Sequence, residues 1–213
     1  MRKILILLFP TVLVLSGCAK TMNENQCLVA DWRTVGFEDG SQGRGEQWIS
    51  KRSEACAEYG VTLDLDQYLF GREQGLENFC QPRRGFDMGI RGNRYENVCP
   101  RALETDFLVA YQDGRGLSDR RAHVNELEHS ISSAYGALEA LSDDITAVTV
   151  ALATENNMTN QQRIDYALDL QNMSEERGRI QASLPQMEAD LDAARYDLDS
   201  YTASIAPKYP GAI

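Results

Sequence analysis

Five cysteines carry most of the chemistry open to this chain. Cys18 closes the run Leu15-Ser16-Gly17-Cys18, behind a basic start at Arg2 and Lys3 and a short apolar stretch from Ile4 to Val14. Small residues directly before a cysteine, after such a stretch, suit a lipoprotein signal peptidase, and the freed thiol then carries diacylglycerol. The apolar run is near half of the about 20 residues that a membrane span needs, so a transmembrane helix is excluded there. The mature chain is expected to begin at Cys18, outside the cytoplasm, held to the membrane by lipid that includes palmitate-type acyl chains. Gram-negative lipoproteins kept in the inner membrane usually carry aspartate after the cysteine. Ala19 stands there instead, which points to the outer membrane, facing the periplasm.

The other four, Cys27, Cys56, Cys80 and Cys99, are an even set in an oxidising compartment, which reads as two disulfides. Three pairings are open. Cys27 with Cys56 and Cys80 with Cys99 is preferred, because each bond then staples a local hairpin. Zinc is the competing use, but no two of these cysteines form a C-x₂-C knuckle, so no metal site and no other cofactor is expected. His123 and His129 are six apart, do not share a helical face, and are expected to be solvated. There is no G-x-S-x-G and no S-x-x-K, hence no nucleophile motif and no expected catalytic residue. Carboxylates and aromatics do mingle before residue 115: Asp31, Trp32, Asp39, Trp48, Tyr68, Tyr95, Tyr111 and Asp113. Paired acids beside ring faces can bind or cleave glycans. Asp31, Trp32, Asp39, Tyr68, Tyr95 and Asp113 are therefore the candidate glycan or partner contacts. The bland alternative is that the acids are helix caps and the rings are core.

The net charge is −11, and removal of Arg2 and Lys3 with the signal makes the mature chain more acidic still. From 117 to the end, sixteen acids face seven bases. Such a chain is a poor partner for nucleic acid or for an anionic membrane surface.

These residues must be positioned by two regions of different composition. Residues 1–17 are the signal and 18–26 a polar tether. Residues 27–116 are rich in glycine, aromatics and cysteine, 117–206 lack cysteine, and 207–213 form a tail. The first region holds a degenerate repeat, small-x-x-x-small, at Gly36/Gly40, Gly71/Gly75, Gly85/Gly89 and Ala110/Gly114. At that spacing both small residues share a helical face and permit close approach of a second backbone. Short helices are expected, with Asp64 capping one and Gly60 ending another. Ala30-Asp31-Trp32, Gly36, Asp39-Gly40, Cys56, Tyr59-Gly60, Tyr68, Gly71, Gly75-Leu76, Cys80, Pro82, Gly85, Gly89, Gly92, Tyr95 and Val98-Cys99-Pro100 together resemble a family of uncharacterised proteobacterial lipoproteins defined by a domain of unknown function. The resemblance covers about residues 27–115. It implies a cell-envelope location and brings no activity and no catalytic residue.

The second region is a heptad pattern. Val124, Leu127, Ile131, Ala134, Leu138, Leu141, Ile145, Val148 and Leu152 step by three and four. After a polar break the pattern resumes from Tyr166 through Leu170, Met173, Arg177, Ile180, Leu184, Met187, Leu191, Ala194, Leu198 and Tyr201 to Ile205. Helices over 118–153 and 160–205, with Thr159 as N-cap, predict an antiparallel coiled-coil hairpin. Folding about 156–157 pairs Leu184 with about Glu128 and Arg195 with about Ser118, and leaves Asp197 to Ile205 beside Phe107–Leu117. Pro185 is expected to bend or break the second helix, with Ser183 capping the new one.

The expected protein is all-α: a small disulfide-stapled domain of short helices plus a long coiled-coil hairpin. It is expected to be no enzyme but a structural or adaptor protein of the envelope, whose partner is another envelope protein or a second copy held through the hairpin. A glycan-binding module or weak hydrolase using residues within 31–113 is the competing expectation.

Overall fold

The computed structural model describes residues 21–213, so Cys18 and the expected signal lie outside the described residues. All regular structure among the described residues is helical. The elements are α1 (Glu24–Leu28), α2 (Trp32–Ser41), α3 (Gln47–Ala57), α4 (Leu65–Phe79), α5 (Pro82–Ile90), α6 (Arg101–Thr154) and α7 (Asn160–Ile205). A 3₁₀ turn, Ala206–Lys208, follows. The chain divides into two compact units. The first ends at Phe79 and adds Glu96–Val98; the second comprises Cys80–Tyr95 and Cys99–Ile213.

These compact units do not follow the composition boundary at 116/117. Gly114 and Gly116 lie inside α6, which runs unbroken for 54 residues, about 81 Å at 1.5 Å per residue. The composition changes there because α6 exchanges one packing partner for another, α5 for α7. Glycine lowers helix propensity, but tertiary packing holds the segment helical, so the helix begins at Arg101 rather than at 118.

In the first unit, Asp31 Oδ1 accepts from Arg33 N at 3.2 Å and caps α2. Asp64 Oδ1 accepts from Gln67 N at 3.1 Å and caps α4. The two helices then cross at their glycines. A methyl added to Gly36 would fall on the carbonyl oxygen of Tyr68, on Gly40 on that of Arg72, on Gly71 on that of Arg33, and on Gly75 on that of Phe37. The relation is reciprocal: each glycine sits against the carbonyl three residues before the glycine opposite. The second unit repeats it. Gly85 meets Phe107 O, Gly89 meets Tyr111 O, and Gly114 meets Phe86 O. The four segments of the repeat are thus two crossings of one kind, α2 with α4 and α5 with α6. The ends match as well. Gly43 and Gly92, each three residues past its second glycine, have φ of 67° and 69°. The next amides bond back into the helix, Arg44 N to Asp39 O at 3.0 Å and Asn93 N to Met88 O at 3.1 Å.

Two disulfides staple the units. Cys27–Cys56 ties α1 to α3, and Cys80–Cys99 closes the segment that leads into α6. All four cysteines are buried.

Within the second unit α6 and α7 form the hairpin, joined by residues 155–159 with a capping box from Thr159 and Gln162 at the start of α7. Every heptad position of the sequence pattern is buried or half-buried, Arg177 included. His123 and His129 are exposed. The register differs from the one expected: Arg195 pairs with Glu128 at 2.7 Å rather than with Ser118, and Tyr135 donates to Glu188 at 2.8 Å. Side chains lean toward the N-terminus of their own helix. In this antiparallel pair the α6 side chains lean away from the turn and the α7 side chains toward it, so an α6 residue meets an α7 residue that lies further from the turn than a backbone count places it. Pro185 does not break α7, which is one helix of 46 residues. Ser183 caps nothing; its hydroxyl donates to Ile180 O at 2.9 Å, a bond to the preceding turn. The end of α7 does lie beside α6: Tyr201 donates to Asp113 O at 3.1 Å.

Candidate functional site

The polar centre of the first unit is Asp39. It sits at the fourth position of the Gly36–Gly40 stretch, so the crossing that buries the glycines buries its carboxylate too, at 0 % exposure. A buried carboxylate must be paired and hydrogen-bonded, and this one is. Arg52 holds it with two nitrogens, Nη2 to Oδ1 at 2.9 Å and Nε to Oδ2 at 3.2 Å. Arg44 donates to Oδ1 at 2.6 Å. Tyr68 Oη donates to Oδ2 at 2.8 Å. Burial by itself pushes the Asp39 carboxyl up, but the donors, Arg52 foremost, hold it below the ordinary aspartate value. The Tyr68 hydroxyl is pushed well up by burial and by its bond to the Asp39 carboxylate. Three cations surround one ring: Arg44, Lys51 and Arg52 lie 3.9, 4.8 and 5.4 Å from the Trp48 centroid. Arg52 also donates through Nη1 to Thr21 O at 2.5 Å, so the cluster grips the start of the described chain.

This arrangement is suited to holding structure and poorly suited to turnover. Each Asp39 oxygen already accepts two donors, and the group has no free face for a substrate. The other candidates are similarly occupied. Asp31 is exposed and caps α2, its carboxyl lowered chiefly by the Thr34 hydroxyl. Trp32 is core, packed with Cys27, Cys56 and Tyr68. In the second unit the Tyr95 hydroxyl accepts from Cys99 N at 2.9 Å and donates to Glu104 at 3.2 Å. Asp113 accepts from Tyr209 Oη at 2.9 Å and from Lys208 Nζ at 3.0 Å. Of the six candidates, the structure brings Asp39 and Tyr68 into contact, and it places Tyr95 and Asp113 in the other unit.

Arg52 escaped the sequence reading. Its signal is there: Trp48, Arg52 and Cys56 share one face of α3, and a cation on an apolar helical stripe requires a buried acid. Among the described residues no three His, Cys, Asp or Glu side chains converge as metal ligands.

The comparisons with known proteins bear on this same stretch. Residues 31–116 match the family model described as "Protein of unknown function (DUF2799)". The chain therefore contains a domain of unknown function. The match begins at the α2 cap, takes in both glycine crossings, and ends two residues beyond Gly114. No curated protein and no solved structure matches the chain.

Proposed function

We propose that this chain is a lipid-anchored envelope protein of structural or adaptor type, one of a family of proteobacterial lipoproteins, which binds another envelope component without catalysing a reaction. Lipid on Cys18 would hold it to the outer membrane, facing the periplasm, and the two disulfides fit an oxidising compartment. The observation that carries the adaptor reading is the hairpin of 54- and 46-residue helices, whose outward positions are exposed and acidic. Paired helices of that length present a long surface at fixed spacing, which is of little use to a small-molecule enzyme and suits a partner or a spacer. Within the domain-of-unknown-function segment, Asp31 and Asp64 act as caps and Asp39 and Asp113 as ion-pair partners within the fold.

In-cell photo-crosslinking from positions near Asp143 and Arg163, read by mass spectrometry, tests the proposal. One recurrent envelope protein is the expected capture. Capture of a second copy of the chain alone replaces the adaptor with a self-associating spacer. Turnover of peptidoglycan by the purified protein, abolished by a single Asp→Asn change, would sink the non-catalytic reading.

A further inference from the structure

We propose that the end of the first unit bearing Leu28 and Val29 rests on the lipid bilayer, seated at the boundary between headgroups and acyl chains. The inference rests on the lipidation of Cys18 proposed above, and deepens it by assigning the surface that faces the membrane. Its first support is the place where the fold begins. Thr21 is already fixed: its carbonyl accepts from Arg52, and its hydroxyl donates to Lys51 O at 3.1 Å. Met22 is buried, its sulfur 3.8 Å from Cys56 Sγ. Asn23 and Gln26 close a capping box on α1. Only Ala19 and Lys20 stand between Cys18 and this grip. Three residues of extended chain reach about 10 Å at most, comparable to the depth of the headgroup layer, roughly 5–8 Å per leaflet. A unit held so short has no room to stand away from the surface.

Its second support is what surrounds that starting point. Val29, at 82 %, and Leu28, at 60 %, are the most exposed large apolar side chains of the first unit. α1 has five residues, about 7.5 Å of helix, so both lie within a short step of the tether. Val29 and Met22 line one open depression of about 340 Å³, together with Ala30 and Val35. Its charged lining is Asp31, Glu38 and Arg52, and Arg52 is already paired with Asp39. With two acids and one internally paired cation, this lining gives anionic lipid no net attraction. Burial of apolar side chains beside a covalent lipid remains, which needs no basic patch.

The test uses the full chain, produced in bacteria with its signal and reconstituted in vesicles of phosphatidylethanolamine and phosphatidylglycerol. A benzophenone amino acid replaces Val29 or, in a second sample, Phe70, an exposed apolar position on α4. After irradiation, mass spectrometry reads lipid adducts at each position and the mass of the N-terminal peptide. The proposal expects an acylated Cys18 and about fivefold or more lipid adduct at position 29 over position 70. An acylated Cys18 with equal adducts overturns the docking and leaves the lipoprotein reading standing. Adducts from position 29 to a second copy of the chain also overturn it. A Cys18 without acyl groups overturns both.

Discussion

At the scale of single residues, Asp39 is the most consequential side chain of the first unit. Asp39→Asn strips the buried Arg52 of its counter-charge, and such a loss costs about 3–5 kcal/mol, readable as a lower denaturation midpoint in urea. The pH dependence follows from the direction of the shift. The folded carboxyl titrates below the ordinary 3.8, so its stabilisation is present above that value and is lost as the pH falls through the lower, folded one. Acid unfolding monitored by circular dichroism should therefore steepen below pH 3.8 in the native chain and lose that component in Asp39→Asn. Tyr68 has the opposite sign: raised above its ordinary 10.0, it contributes stability that fades as the pH climbs past 10, and Tyr68→Phe should remove that alkaline loss. Two phenylalanines at matching positions of the crossings supply another contrast. Phe86 is fully buried and stacked on Tyr209 at 3.9 Å, whereas Phe37 is 39 % exposed. Phe86→Ala should cost about 3–5 kcal/mol and Phe37→Ala under about 1 kcal/mol. Sequence alone marked Asp39 and Tyr68 as members of one candidate set, since acids and aromatic rings mingle before residue 115. It did not couple them, because a contact between residues 29 apart depends on which helices cross.

At the scale of elements, the glycines divide by what stands opposite them. Gly71 and Gly75 face backbone carbonyls that cannot withdraw, while Gly136 and Gly178 face open space on the hairpin. Gly75→Ala should destabilise by about 1–3 kcal/mol, as overpacking does. Gly136→Ala should stabilise by about 0.5–1 kcal/mol through helix propensity alone. Guanidinium titrations of the two variants check both signs. The small-x-x-x-small spacing was legible in the sequence, as was the heptad stripe from Val124 to Ile205, because periodicity reports which face is covered. What covers it is another matter. Nothing local says that α4 pairs with α2, that α6 extends back to Arg101 through Gly116 and Gly114, or that α7 tolerates Pro185. Pairing is decided by which backbones can approach, and that emerges only when both helices are in place.

For the molecule as a whole, charge and cross-links set the behaviour. The exposed faces of the hairpin are acidic and its cross-helix ion pairs, Arg195–Glu128 and Arg120–Asp197, are surface ones of small individual worth. Repulsion among the acids should then dominate, and the melting temperature should rise as sodium chloride increases from dilute buffer to about 0.15 M, where the screening length is near 8 Å. A fall would mean that the surface pairs outweigh the repulsion. The all-helical class and the preference for consecutive disulfides were legible from composition and spacing. The division into units was not, since Gly114 and Gly116 have the composition of a linker and the environment of a helix. Tyr209 seals the base of the hairpin by lying flat on Phe86, so a purification tag appended beyond Ile213 would begin four residues from that seal. If the proposed lipoprotein signal operates, a tag at the other terminus would stand in the way of its cleavage. The exposed residues 155–157, ahead of the Thr159 cap, are where a fluorescent or affinity label can be inserted without disturbing either end of the chain.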